Sequence, residues 1–132
     1  SSNNQLNTNG ANYVAYCFAP VAGYSLFSSY VGNSSAEGPF VFTGFRPAFI
    51  LIRSTAGGNW YLYDSVREES NLTKNRLYPN LNSVEDTGTA NSMDIVSNGF
   101  KLRSSHGGIN LSGQTFIFMS FAEHPFKTAR AR

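Results

Sequence analysis

One cysteine and two histidines in 132 residues leave little material for metal chemistry or disulfide staples. Cys17 has no internal partner, and its place in the alternating run YVAYCFA predicts a small buried hydrophobe. His106 and His124 lie far apart, with no Cys or acid at ligand spacing, so neither a structural metal nor a cofactor is expected. Charge is also scarce, at 14% of residues, yet 41% hydrophobic content excludes a disordered chain. No apolar run approaches the ~18 residues of a membrane helix. The net charge of +2 depends on Lys127, Arg130 and Arg132 in the final six positions; elsewhere bases and acids are interleaved, without the basic stripe that nucleic acid requires. No G-x-S-x-G, Walker or G-x-G-x-x-G motif occurs.

Ser (17), Asn (14), Gly (12) and Thr (8) are abundant beside 11 Phe, 7 Tyr and one Trp, a mixture that suits short strands joined by polar turns. Apolar residues alternate or run in short blocks, punctuated by Gly, Asn or Ser, which is an all-β rhythm. Strands are expected at Tyr13 to Ala19, Ser25 to Tyr30, Phe40 to Phe42, Ala48 to Arg53, Asn59 to Asp64, Met93 to Val96, Phe100 to Arg103 and Thr115 to Ala122. Eight strands in one small domain favour an antiparallel β-sandwich. Thr55, Ala56, Gly57 and Gly58 suit a hairpin joining the fourth and fifth strands. Apolar residues on both faces of AFILI and TFIFMSF predict central strands covered on each side. Residues 67–91 hold four of the eight acids and five asparagines without sustained alternation, so one long loop is expected there, with room for a short helical turn. Residues 1–12, without an apolar signal core, read as a flexible lead-in, 13–127 as a single module, and 128–132 as a basic tail. Tyr13–Ala19 also echoes Phe116–Ala122, each opening on an aromatic and closing on Phe-Ala. The echo predicts either two strands paired at the centre of a sheet or the period of a tandem module.

Catalysis finds thin support. Asp64 is the best placed acid, but its position at a strand end with Arg67 three residues on suits a turn bonded to backbone N–H groups or an ion pair. Recognition of sugars is better served, since flat rings cover the apolar face of a saccharide while Asn, Asp and Arg bond its hydroxyls. Trp60, Tyr61 and Tyr63 with Asp64 and Arg67 supply one such cluster. Alternation separates Trp60 and Leu62 from Tyr61 and Tyr63, and either face suits the core. Tyr78, Asn80 and Asn82, and His106 with Asn110, are two alternative rims.

Four segments, FVFTGFRPAFILIRS, NWYLYDSVR, SNGFKLRSS and INLSGQTFIFMSFAEHPFK, together resemble a recurrent module of tailed-bacteriophage tail-fibre and other virion proteins. In that family GF-x-P precedes an aliphatic strand, an aromatic strand leads to YD-[ST]-x-R, and SNGF precedes a closing strand followed by AENPF or AEHPF. The likeness extends from Asn12 to Lys127. It implies a lectin-like sandwich of jelly-roll type in an extracellular tail fibre, associated with other virion tail proteins. The implied function is binding of a host surface receptor, a polysaccharide, by a homotrimer and without cleavage. A structural spacer or decoration module of the appendage is the alternative.

Overall fold

The computed structural model describes residues 8–125. Period-2 alternation produces seven strands: β1 (Ser25–Val31), β2 (Phe40–Phe42), β3 (Pro47–Ser54), β4 (Tyr61–Asp64), β5 (Met93–Val96), β6 (Gly99–Leu102) and β7 (Thr115–Ala122). They form two antiparallel sheets, one of four strands in the order β1-β7-β3-β4 and one of three in the order β2-β6-β5. As expected from Thr55–Gly58, β3 and β4 are an antiparallel hairpin, with Ile50 opposite Tyr63 and Ile52 opposite Tyr61; Gly57 (φ 105°) and Gly58 (φ 96°) supply its left-handed turn.

The core lies between the sheets. Ile50, Ile52, Tyr63, Phe116 and Phe118 from the larger sheet meet Met93, Ile95, Phe100 and Leu102 from the smaller one. Phe100 packs edge-on against Phe118 with ring centroids 5.4 Å apart. The phenols in this interior reach its rim: Tyr63 donates to the Asn91 carbonyl at 2.5 Å and Tyr30 to the Ile109 carbonyl at 2.7 Å. Burial accordingly pushes both phenols above the usual tyrosine range. The fold is thus the expected all-β sandwich.

Four expectations fail. Tyr13–Ala19 forms no strand and Cys17 is exposed. Backbone pairing of this arm with β1 stops at Val21 and Ser25, where the Ser25 hydroxyl turns back onto the Ala19 carbonyl at 3.3 Å. The pairing of Tyr13–Ala19 with Phe116–Ala122 that the echo offered does not form, because β7 has β1 on one side and β3 on the other. The chain between Arg67 and Asn91 contains no helical turn; the one helix among the described residues, α1 (Gly107–Asn110), follows His106 instead. That long loop is braced by bridges of Leu77 to Leu62, Thr73 to Met93 and Arg76 to Asp86. The basic tail at 128–132 and the first seven residues of the lead-in lie outside the described residues.

The motifs that carry the family resemblance occupy corners of this sandwich. Arg46 pairs with Glu123 at 2.8 Å and donates to the Ile95 carbonyl at 3.1 Å, tying the GF-x-P corner to the AEHPF corner and to the smaller sheet. In SNGF, a Cβ on Gly99 would stand 2.1 Å from the Val41 carbonyl oxygen, so β2 and β6 approach as they do only because the residue is glycine.

Candidate ligand-binding site

The larger sheet has an apolar outer face as well as an apolar inner one. Strand register sets its side chains in rows: Phe27, Met119, Leu51 and Leu62 form one, and Ser29, Ile117 and Arg53 the next, which Trp60 extends from the end of β4. A third row runs through Phe121 and Phe49 to Asp64. No element of the smaller sheet covers this face. At one end, Phe18 of the N-terminal arm stacks on Phe27 at 5.3 Å and meets Phe121 edge-on at 6.5 Å. At the other, an open groove of about 420 Å³ is lined by Trp60, Phe27, Ser28, Ser29, Ile117 and Met119.

Trp60 is half-buried, with the Arg53 guanidinium 5.3 Å from its ring centroid, a cation–π distance. Its backbone N–H donates to Asn80 Oδ1 at 2.9 Å, and the Asn80 amide donates to Asn59 Oδ1 at 3.2 Å. The structure therefore unites Trp60 with Asn80, residues 20 apart in the chain, and adds the exposed Ser29 hydroxyl. A flat ring beside amides, hydroxyls and a guanidinium is the chemistry that holds a saccharide ring.

The remaining sequence candidates fall elsewhere. Tyr61 and Tyr63 turn inward; Tyr63 is fully buried, while Tyr61 meets Tyr78 edge-on at 5.3 Å. Asp64 caps a turn, accepting from the Val66 and Arg67 backbone N–H groups at 3.0 and 2.8 Å, and pairs with Arg67 Nε at 2.6 Å. Arg67 also holds Glu85 at 2.7 Å, and these carboxylates raise its pKa further. The Tyr78 hydroxyl lies between Arg76 Nε (3.0 Å) and Asp86 Oδ2 (2.6 Å), and its pKa is raised, chiefly by burial. Asn110 is wholly enclosed, donating to the Ser35 and Ser104 carbonyls and accepting from Asn33 N, so it cannot meet a ligand from solvent. His106 caps α1, its Nδ1 lying 3.1 Å from Gly108 N and 2.9 Å from the Asn91 amide. Its exposed edge lines a second open groove of about 480 Å³ with Leu72, Thr89, Ser92, Arg103 and Ser105. Arg103 is pinned there by Asp94 at 2.5 Å and Glu37 at 2.8 Å, leaving this groove without an unpaired charge of its own.

Sequence reasoning missed Arg53, Phe27, Ile117 and Met119. Their signal was present: AFILIR and TFIFMSF are apolar at both parities, and an Arg closing such a run is out of pattern. Among the described residues no three His, Cys, Asp or Glu side chains gather as a metal site, and no helix is long and apolar enough to cross a membrane.

The chain is thus an antiparallel two-sheet β protein with an open aromatic groove on its larger sheet. Residues 1–125 match a family described as a domain of unknown function, DUF7483, and the chain belongs to that family. Comparison with curated proteins and with solved structures gave no match.

Proposed function

We propose that the protein is a surface-recognition module of a tailed-phage appendage, binding a host polysaccharide in the Trp60 groove without cleaving it. The virion context rests on the sequence resemblance. The observation that carries the binding reading is the position of Trp60: half-buried, bordered by hydroxyl and amide groups, and open to solvent in a groove large enough for a sugar residue. Binding without cleavage draws support from the carboxylates. Glycoside hydrolysis uses two carboxyl groups flanking one bond, whereas seven of the eight acids here are engaged: Glu37, Asp64, Glu68, Glu85, Asp86, Asp94 and Glu123 all sit within 4.0 Å of a Lys or Arg.

The test is adsorption of the purified protein to bacterial cells and polysaccharides. Trp60→Ala is expected to lower affinity by at least about 10-fold, as loss of a central aromatic anchor does, with its thermal midpoint close to that of the parent. Unchanged adsorption would remove the groove from consideration. New reducing ends on the polysaccharide would replace this reading with a hydrolase.

A structural or assembly role is the second reading, favoured by rings outside the groove. Tyr13, Tyr16, Phe40 and Phe42 are 48%, 83%, 48% and 64% exposed, more apolar surface than an isolated small domain needs. We assign these rings to contacts between copies in a homotrimer.

A further inference from the structure

Seven lysines and arginines lie among the described residues, and six of them have an acid within 4.0 Å: Arg46, Arg67, Lys74, Arg76, Lys101 and Arg103. The seventh is Arg53, beside Trp60. Its Nε is enclosed and has no hydrogen-bond partner, although burying a donor of a charged group without an acceptor is costly. Nothing in its own row offers an acid, since Ser29, Ile117 and Trp60 are uncharged. The closest acid by register is Asp64 at the far end of β4, already committed to Arg67. Among the described residues the outer face therefore presents one cation without an acid, and it lies against Trp60, a lining residue of the groove, 5.3 Å from the ring centroid.

From this charge imbalance we propose that the saccharide taken by the Trp60 groove is acidic, and that Arg53 receives its carboxylate. This rests on the glycan-binding reading and names the ligand class. The guanidinium is planar and always charged, and its fork of N–H donors matches a carboxylate in two parallel hydrogen bonds. Trp60 covers the apolar face of the same sugar, while Ser29, in the same outer row, is exposed to bond its hydroxyls. A neutral sugar would use the ring and the hydroxyls but leave the cation unmatched. The half-buried position of Arg53 strengthens the match, because a charge pair screened from water is attenuated less than one on an open surface.

The experiment uses the whole chain on an array of bacterial polysaccharides that carry hexuronic or nonulosonic acids, each printed also in carboxyl-reduced form. The expected result is binding to acidic polymers and about 10- to 100-fold weaker binding to the reduced ones, the range for a charge-assisted hydrogen-bonded pair. Arg53→Gln should abolish the preference, and Arg53→Lys should restore part of it as a point charge. If Arg53→Gln does not fold, the native-against-reduced comparison on the unaltered protein decides alone. Equal binding to both forms overturns the acidic-ligand assignment and leaves the Trp60 groove standing. Binding to no polysaccharide of either form overturns both.

Discussion

Arg76 is the one charged residue among the buried polar set, its side chain 3% exposed, and every acceptor around it belongs to the loop it closes. Nη1 donates to the Lys74 and Gly88 carbonyls at 3.0 and 2.8 Å, Nη2 to Asp86 at 2.5 Å, and Nε to the Tyr78 hydroxyl at 3.0 Å. A guanidinium enclosed this far persists only because its donors are matched, so deleting it strands Asp86 and two carbonyls together. Asp86 keeps 33% of its side chain in water, which puts the loss below that of a fully buried pair. Arg76→Ala is expected to cost about 2 kcal/mol and lower the melting temperature by about 5–10 °C. An unchanged calorimetric midpoint would show that the loop does not need its clamp. Acid should act on the same cluster. Hydrogen bonds from Tyr78 and Gly88, with the Arg76 charge, hold the Asp86 carboxyl below its usual range. Its contribution is therefore complete above the unfolded carboxyl pKa of about 3.9 and is lost as pH falls through the lower folded value. Asp86→Asn should flatten the acid limb of a stability–pH curve below about pH 4, and an unaltered limb would assign acid unfolding to other groups.

At the scale of elements, the contrast between β7 and the arm shows what was legible and what was not. The two segments share a pattern, yet β7 lies between β1 and β3 while the arm has only the free edge of β1 and bridges it at Val21 alone. Alternation reports a segment's fitness for a sheet; the partner that decides the outcome is remote in sequence. The bounds expected for Phe40–Phe42, Met93–Val96 and Thr115–Ala122 match because each run has a partner and ends at a turn. The same limit applies to the site. Period 2 separates Trp60 from Tyr61 and Tyr63, but only the location of the smaller sheet decides which face is core. Asn80 was legible as a polar rim, whereas its bond to the Trp60 backbone depends on Leu77 bridging to Leu62, a long-range contact without a local signature. Phe18 fixes the arm in its actual place, over Phe27 and Phe121, while Tyr16 two residues earlier is 83% exposed. Phe18→Ser is therefore expected to cost about 1 kcal/mol and to speed chymotryptic cleavage within 8–20, whereas Tyr16→Ser should leave the docking of Phe18 on Phe27 and Phe121 in place. Equal cleavage rates for parent and Phe18→Ser would show that another contact holds the arm.

The whole molecule combines a sealed interior with a larger sheet whose second face is open, and under the proposed function this sets the affinity one copy can reach. A shallow groove with one indole and one guanidinium forms few contacts per sugar, and association must first offset several kcal/mol of lost translational and rotational freedom. A single site of this kind is expected to bind in the range of about 0.1–10 mM. Linked copies change that figure without any new contact, because the second and third sites meet the polymer at the effective concentration set by the first. Fusing the chain to a trimeric coiled coil should tighten binding to a repeating polysaccharide by about 10²- to 10⁴-fold, while binding to a single repeat unit stays at the monomer value. Surface plasmon resonance on immobilised polymer, set beside titration of the free repeat unit, reads both numbers. A trimer no tighter than the monomer would mean that the three Trp60 grooves cannot reach one polymer together. The exposed rings of the arm and β2 give a companion measurement. If they join copies, the unfused chain sediments as a trimer at micromolar concentration, and replacing Tyr16 and Phe42 together by Ser returns it to monomer. A chain that is monomeric before any substitution would leave those rings to some other partner and confine the multivalency argument to the engineered trimer.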